Sequence, residues 1–149
     1  MRIDQTVDIP APAERVWEFL MDVPAVSACV PGVESFEALG DDTYRGTLRV
    51  SVGPIGAKLG GKVTVTERNA ELMRSGLRVS AADSRIGSKV TAETTMTLVP
   101  YGDGVTRLQI AADVSILGKL GSFGQSVIRR KADQLILEFA ANVTRSLAR

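Results

Sequence analysis

The side chains able to do chemistry in this chain are mostly carboxylates. Its 17 Asp and Glu stand beside 18 Lys and Arg, with no His and a single Cys among 149 residues. Without imidazole there is no Ser-His-Asp or Cys-His relay, no His-ligated metal centre, and no side chain that titrates unaided near neutral pH. Cys29 cannot form an internal disulfide or a thiolate-rich zinc or iron-sulfur site. With no histidine or second thiol to activate it, Cys29 reads as a buried small residue. Composition leaves open a carboxylate-only site for magnesium or calcium, with Asp41-Asp42 and Asp103 as its candidates. Both lie in turn sequence, Gly-Asp-Asp-Thr and Gly-Asp-Gly, where aspartate bonds readily to nearby backbone, and they read as turn residues. Two polar side chains, Tyr44 and Gln125, are the candidates for hydrogen bonds to the head of a bound molecule.

Little else in the composition points to a charged partner. The formal net charge is +1, which offers no electrostatic footprint for nucleic acid. Hydrophobic residues make up 44% and charged residues 23%, the balance of a globular domain, and the length suits one domain over residues 1–149. No apolar run approaches the roughly 20 residues of a membrane helix, and Met1 leads directly into strand-like sequence. A soluble, cytoplasmic protein is the expectation.

The elements that must position any site follow from periodicity. Ile3, Gln5, Val7 and Ile9 alternate with Arg2, Asp4, Thr6 and Asp8, the mark of a strand with one buried face. Pro10 and Pro12 stop it, and Val16, Trp17, Leu20 and Met21 then fall at helical spacing over Ala13 to Met21. A second short helix is expected from Pro24 to Val30, before Pro31-Gly32. Six further strands follow, over 33–39, 43–52, 55–67, 72–81, 88–99 and 105–116, divided by turn chemistry, so neighbours should pair antiparallel. Tyr44, Gly46, Leu48, Val50 and Val52 share the buried face of their strand; Leu77 and Val79, Val90 and Met96, and Leu108 and Ile110 do so on later strands.

Such a sheet has one apolar face to cover, and the segment from Ser122 to Leu147 must cover it. At 1.5 Å per residue it would extend about 39 Å if wholly helical. The fold expected is α+β: a curved seven-stranded antiparallel sheet gripping a long C-terminal helix, with two short helices after the first strand. Gly46, Gly56, Gly60, Gly61, Gly76, Ala57, Ala81, Ala92, Ala111 and Ala112 are expected on the covered face. Small residues fill a wide concavity poorly, which favours an internal apolar cavity over a helix sunk into the sheet. Leu48, Val50, Val63, Leu77, Val79, Val90, Met96, Leu108 and Ile110 are its candidate sheet lining; Phe123, Val127, Ile128 and Leu135 are its helix lining.

Between sheet and helix, Leu117, Leu120 and Phe123 alternate with Gly118, Gly121 and Gly124 beside Lys119 and Arg129-Arg130. Two readings stay open: a flexible gate whose Leu117, Lys119, Leu120 and Phe123 face a membrane, or a loop packed into the core. Trp17 reads as the anchor of the first helix.

Three segments, ACVPGVESFE, VSVGPIGAKLGGKVTV and LGKLGSFGQSVI, together with this element order, resemble the CoxG family of carbon monoxide dehydrogenase-associated proteins. That family lies within the Bet v 1 and START-like helix-grip superfamily. The resemblance implies a bacterial, noncatalytic accessory protein of molybdenum-containing carbon monoxide dehydrogenase-like enzymes, peripheral at the inner face of the cell membrane. It would bind a prenyl quinone such as menaquinone and carry it between membrane and dehydrogenase for electron transfer. The alternatives are a membrane-recruitment or assembly factor without ligand carriage, and a helix-grip cyclase or hydrolase of small aromatic or polyketide substrates.

Overall fold

In a computed structural model that describes residues 1–148, seven strands form one antiparallel sheet. In chain order they are β1 (Arg2–Ile9), β2 (Val33–Gly40), β3 (Thr43–Val52), β4 (Ile55–Asn69), β5 (Arg74–Asp83), β6 (Ser88–Pro100) and β7 (Thr106–Leu117). The spatial order is β1-β7-β6-β5-β4-β3-β2, so β1 and β2 are the open edges. Helices α1 (Ala13–Met21) and α2 (Val23–Ser27) follow β1, a short 3-10 turn covers Leu120–Phe123, and α3 (Gln125–Leu147) closes the chain. The helix-grip architecture expected from the sequence is the one found.

Antiparallel pairing puts the connections at two ends. At one lie α1, α2, the β2–β3, β4–β5 and β6–β7 turns and the last turn of α3. At the other lie the β3–β4 and β5–β6 turns, Leu117 to Gly124, and the first turn of α3. We refer to the α1 end and the α3-start end. The first is sealed by Thr106, fully buried, whose hydroxyl donates to the Ala11 carbonyl at 2.7 Å. α3 packs along β1 and is tied there by Gln5, whose amide donates to the Asp133 carboxylate at 3.1 Å.

Most boundaries fall within two residues of expectation; among those that differ by two or three, two have a visible local reason. α3 begins at Gln125, not Ser122, because Leu120–Phe123 winds into the tighter turn and Gly124 then adopts φ 85°, ψ 165°, closed to residues with a Cβ. β5 begins at Arg74, not Leu72, because the Asn69 side chain accepts from the Leu72 N–H and Met73 takes φ 49°, leaving Leu72 exposed in the turn. α2 stops at Ser27 rather than Val30.

Register also corrects part of the small-residue face. Gly46 pairs with Gly61, and Gly61 with Ala81, on the concave side. Gly56 pairs with Ser51, Gly60 with Thr47, Gly76 with Thr95 and Ala111 with Asp4, all on the outer side. β4 carries a bulge between Val65 and Glu67 that shifts its register against β5.

Candidate functional site

The concave face holds two packed apolar clusters separated by a half-exposed floor. At the α1 end, Val7, Ile9, Val16, Leu20, Leu98, Leu108, Phe139 and Val143 pack together, with Trp17, Val26 and Met96 against them. Trp17 is thus the anchor expected, and Cys29 is buried beside it with Sγ 3.6 Å from the Ser146 hydroxyl. At the α3-start end, Val52, Ala57, Leu59, Leu120 and Ile128 form a smaller cluster, joined by Leu48, Val50, Val90, Phe123 and Val127.

The floor consists of two cross-strand rows on the middle strands. Tyr44, Val63, Val79 and Ala92 stand opposite one another in one row; Val65, Leu77 and Thr94 form the next, which runs on to the buried Ala112 and Ile3. All seven of the first-named side chains are only half-buried, as is Leu135 of α3, and none packs into either cluster. The centre of a sheet beneath a helix is normally where burial is deepest. Here the side chains at the centre keep more exposed surface than those in the two clusters. Ala92 and Thr94 are the smallest of the seven.

Tyr44 lies at the β2–β3 side of the floor, stacked on Phe36 with ring centroids 5.2 Å apart and planes 14° apart. Gly46 makes the stack possible: a Cβ there would lie 2.8 Å from the Ser35 carbonyl oxygen and 3.1 Å from the Phe36 ring. Phe36 is a site residue that sequence reasoning misses. Its signal is the Gly46 opposite it, visible only once the register is known.

The expected lining therefore divides. Tyr44, Val63, Leu77 and Val79 share the floor, and Leu135 of α3 is half-buried outside both clusters. Leu48, Val50, Val90, Phe123, Val127 and Ile128 belong to the α3-start cluster that bounds it, and Met96 and Ile110 to the α1-end cluster. Leu108 is fully buried and is core, because it faces α1 and α3 where they close on the sheet. Gln125 is exposed on the first turn of α3 and points to no enclosed space.

The expected gate divides too. Leu117 is 61% exposed and Lys119 is exposed, whereas Leu120 is 3% exposed, with its N–H donating to the buried Ser88 hydroxyl at 2.9 Å. Phe123 lies against Gly53, where a Cβ would stand 3.3 Å from the ring. Two of the three glycines of this segment, Gly118 and Gly121, serve close approach. A Cβ on Gly118 would lie 1.7 Å from the Gly87 carbonyl oxygen, and one on Gly121 would lie 2.5 Å from that of Ile116.

Carboxylates are scarce on the concave face. Asp83 accepts from the backbone N–H groups of Lys58 at 2.9 Å and Arg85 at 3.0 Å; Asp133 accepts from Gln5. The Lys58 N–H, helped by Arg85, holds the Asp83 carboxyl below the usual carboxylate range. A carboxyl so held is a poor proton donor near neutral pH. Among the described residues no group of three Asp, Glu, His or Cys is placed to hold a metal ion. A cleft of about 470 Å³ lies on the outer face, but its rim is the Arg78–Glu93 ion pair at 2.6 Å and it offers no apolar enclosure.

Residues 6–148 match the family model of CoxG, the G subunit of carbon monoxide dehydrogenase. The chain belongs to the CoxG family. Among solved structures, this CoxG-family chain is similar to a conserved protein from Geobacillus kaustophilus, at 26% identity and TM-score 0.89, covering 99% of this chain and 95% of that one. It has the fold of the Zhui aromatase/cyclase from Streptomyces sp. R1128 (17% identity, TM-score 0.70, 100% and 94% covered). The same holds for a START superfamily protein from Mycobacterium smegmatis (15% identity, TM-score 0.68, 99% and 97% covered). A comparison with curated proteins finds no match. The family name ties the CoxG chain to carbon monoxide dehydrogenase, and no helix among its described residues is long and apolar enough to cross a membrane.

Proposed function

We propose that this CoxG-family protein is a noncatalytic carrier of a prenyl quinone, menaquinone or a close relative. The quinone is held on the concave floor and passed between the cytoplasmic membrane and a molybdenum-containing carbon monoxide dehydrogenase. The observation that carries the reading is the half-exposed apolar floor, Val63, Leu77 and Val79, lying between two clusters that pack without it. A prenyl tail on this floor would displace water from apolar surface on both walls.

Magnitudes favour the tail over the head as the source of affinity. Burial of a methylene is worth roughly 0.8 kcal/mol, so one five-carbon prenyl unit gains about 4 kcal/mol. A head-group hydrogen bond to Tyr44 adds only about 1 kcal/mol net. Tyr44, with its ring fixed by Phe36, serves orientation rather than affinity. The inward polar groups, Thr94, Tyr44, the paired Gln5 and Asp133, and Asp83 held by the Lys58 and Arg85 N–H groups, supply no free acid and base pair, which disfavours a cyclase or hydrolase.

Organic extraction of the protein purified from a quinone-producing bacterium, followed by mass spectrometry beside a mock purification, tests the proposal. Near-stoichiometric prenyl quinone is the expected result. Protein that yields none, and takes none up from menaquinone-loaded vesicles, would contradict carriage and leave an assembly or recruitment role.

A further inference from the structure

The net charge of +1 conceals a two-ended distribution. From Val114 to Ala132 the chain has four cations, Lys119, Arg129, Arg130 and Lys131, and no carboxylate. Lys89 joins them, because register places it opposite Leu117 at the same tip. None of these five has a carboxylate oxygen within 4.0 Å among the described residues, whereas most arginines of the outer sheet face are paired, Arg45 with Glu37, Arg49 with Glu34 and Arg78 with Glu93 among them. At the α1 end the balance reverses: Glu14, Glu18, Asp22, Asp41, Glu71 and Asp103 stand without a paired cation among the described residues, against two cations, Arg15 and Arg145, without a paired carboxylate.

The basic end also carries Leu117, the most exposed of the large hydrophobic residues. It is presented rigidly. Gly118 seats the backbone against Gly87, and Leu120 is pinned in the core with its N–H on Ser88. An exposed apolar side chain flanked by Lys89 and Lys119, at an end that also carries Arg129, Arg130 and Lys131, is complementary to an anionic lipid surface: the cations meet head groups while the leucine enters the interfacial layer.

We infer that the α3-start end is a docking surface for anionic membrane, with Leu117 inserted and the α1 end turned away. This deepens the carrier reading, since it names the end at which the carrier would meet the membrane, with the α3-start cluster between that tip and the floor, yet it stands on charge and exposure alone. Vesicle binding needs no quinone, so either reading can fail without the other.

Flotation with phosphatidylcholine vesicles, with and without phosphatidylglycerol, tests it. Binding should require the anionic lipid and vanish near 1 M salt, where the screening length falls to about 3 Å. Lys119→Glu and Arg130→Glu should each weaken binding roughly fivefold or more, because one basic residue near a charged bilayer is worth about that factor. Lys62→Glu, in the middle of the outer sheet face, makes the same charge change and should have far less effect. Orientation is read from fluorescence. Trp17, the one native tryptophan, lies at the α1 end and should be unquenched by brominated lipid, whereas Leu117→Trp should add a strongly quenched signal. Absence of binding to anionic vesicles, equal binding to neutral ones, equal loss in Lys62→Glu, or quenching of Trp17 would each overturn the inference.

Discussion

The two apolar clusters are built to different standards. Ile9, Val16, Leu108 and Val143 at the α1 end are fully buried, while the most buried member at the α3-start end, Ala57, still keeps 2% of its surface. The first cluster joins sheet, α1 and α3; the second rests on Leu120 and Ile128 beside two hairpin turns. Polar fastening differs as well: a neutral hydroxyl, Thr106, seals the α1 end, while the ionised Asp83 knits the β3–β4 and β5–β6 turns at the other. The difference teaches where stability resides. One end holds the fold, and the other end and the floor between them are left lightly packed, as ligand-handling regions generally are.

The comparison breaks most visibly under truncation. Leu108→Ala should lower unfolding free energy by about 3–5 kcal/mol and Leu120→Ala by about 2–3 kcal/mol, the lower part of the range for buried leucine, because neighbours at an open end can relax. Urea denaturation of the two variants measures both. Equal losses would erase the distinction between the ends.

A second test fills the floor instead of emptying a cluster. Leu77→Trp should abolish quinone retention while leaving the urea midpoint close to wild type, since its side chain enters solvent-accessible space. A large loss of stability would mean that the floor is core.

Acid sharpens the contrast. The folded Asp83 carboxyl lies below its unfolded value of roughly 3.9, so its contribution is fully present above that value and is lost as pH falls toward the folded one. Hydrogen exchange should therefore show residues 53–58 and 84–88 loosening on acidification before the Ala11–Val16 segment does. Asp83→Asn should show that loosening already at neutral pH. The smallest effect belongs to the outer face, where removing the exposed Arg78–Glu93 pair should leave no resolvable change in melting temperature.

Much of this is legible in the residues. β3 runs from Thr43 to Val52 as its alternation and flanking Gly-Asp-Asp and Gly-Pro demand, and Trp17 anchors α1 as its helical spacing implies. Tyr44, Val63, Leu77 and Val79 fall on one face because period two leaves no choice once a strand is fixed. What escapes depends on contacts between distant segments. The outer position of Gly60 and Gly76 follows from pairing partners, the Phe36–Tyr44 stack from the cross-strand position of Gly46, and the start of α3 from the φ of Gly124. Leu117 and Leu120 lie three residues apart in a loop without a period, so nothing local tells the exposed one from the buried one.

The most direct test is a titration with short-chain menaquinone, followed by methyl NMR of the leucines and valines. Saturable shifts confined to Val63, Leu77, Val79 and Leu135, with Leu108 and Val143 unmoved, are the predicted result. Shifts absent from the floor, or spread equally through both clusters, would contradict a binding site between them.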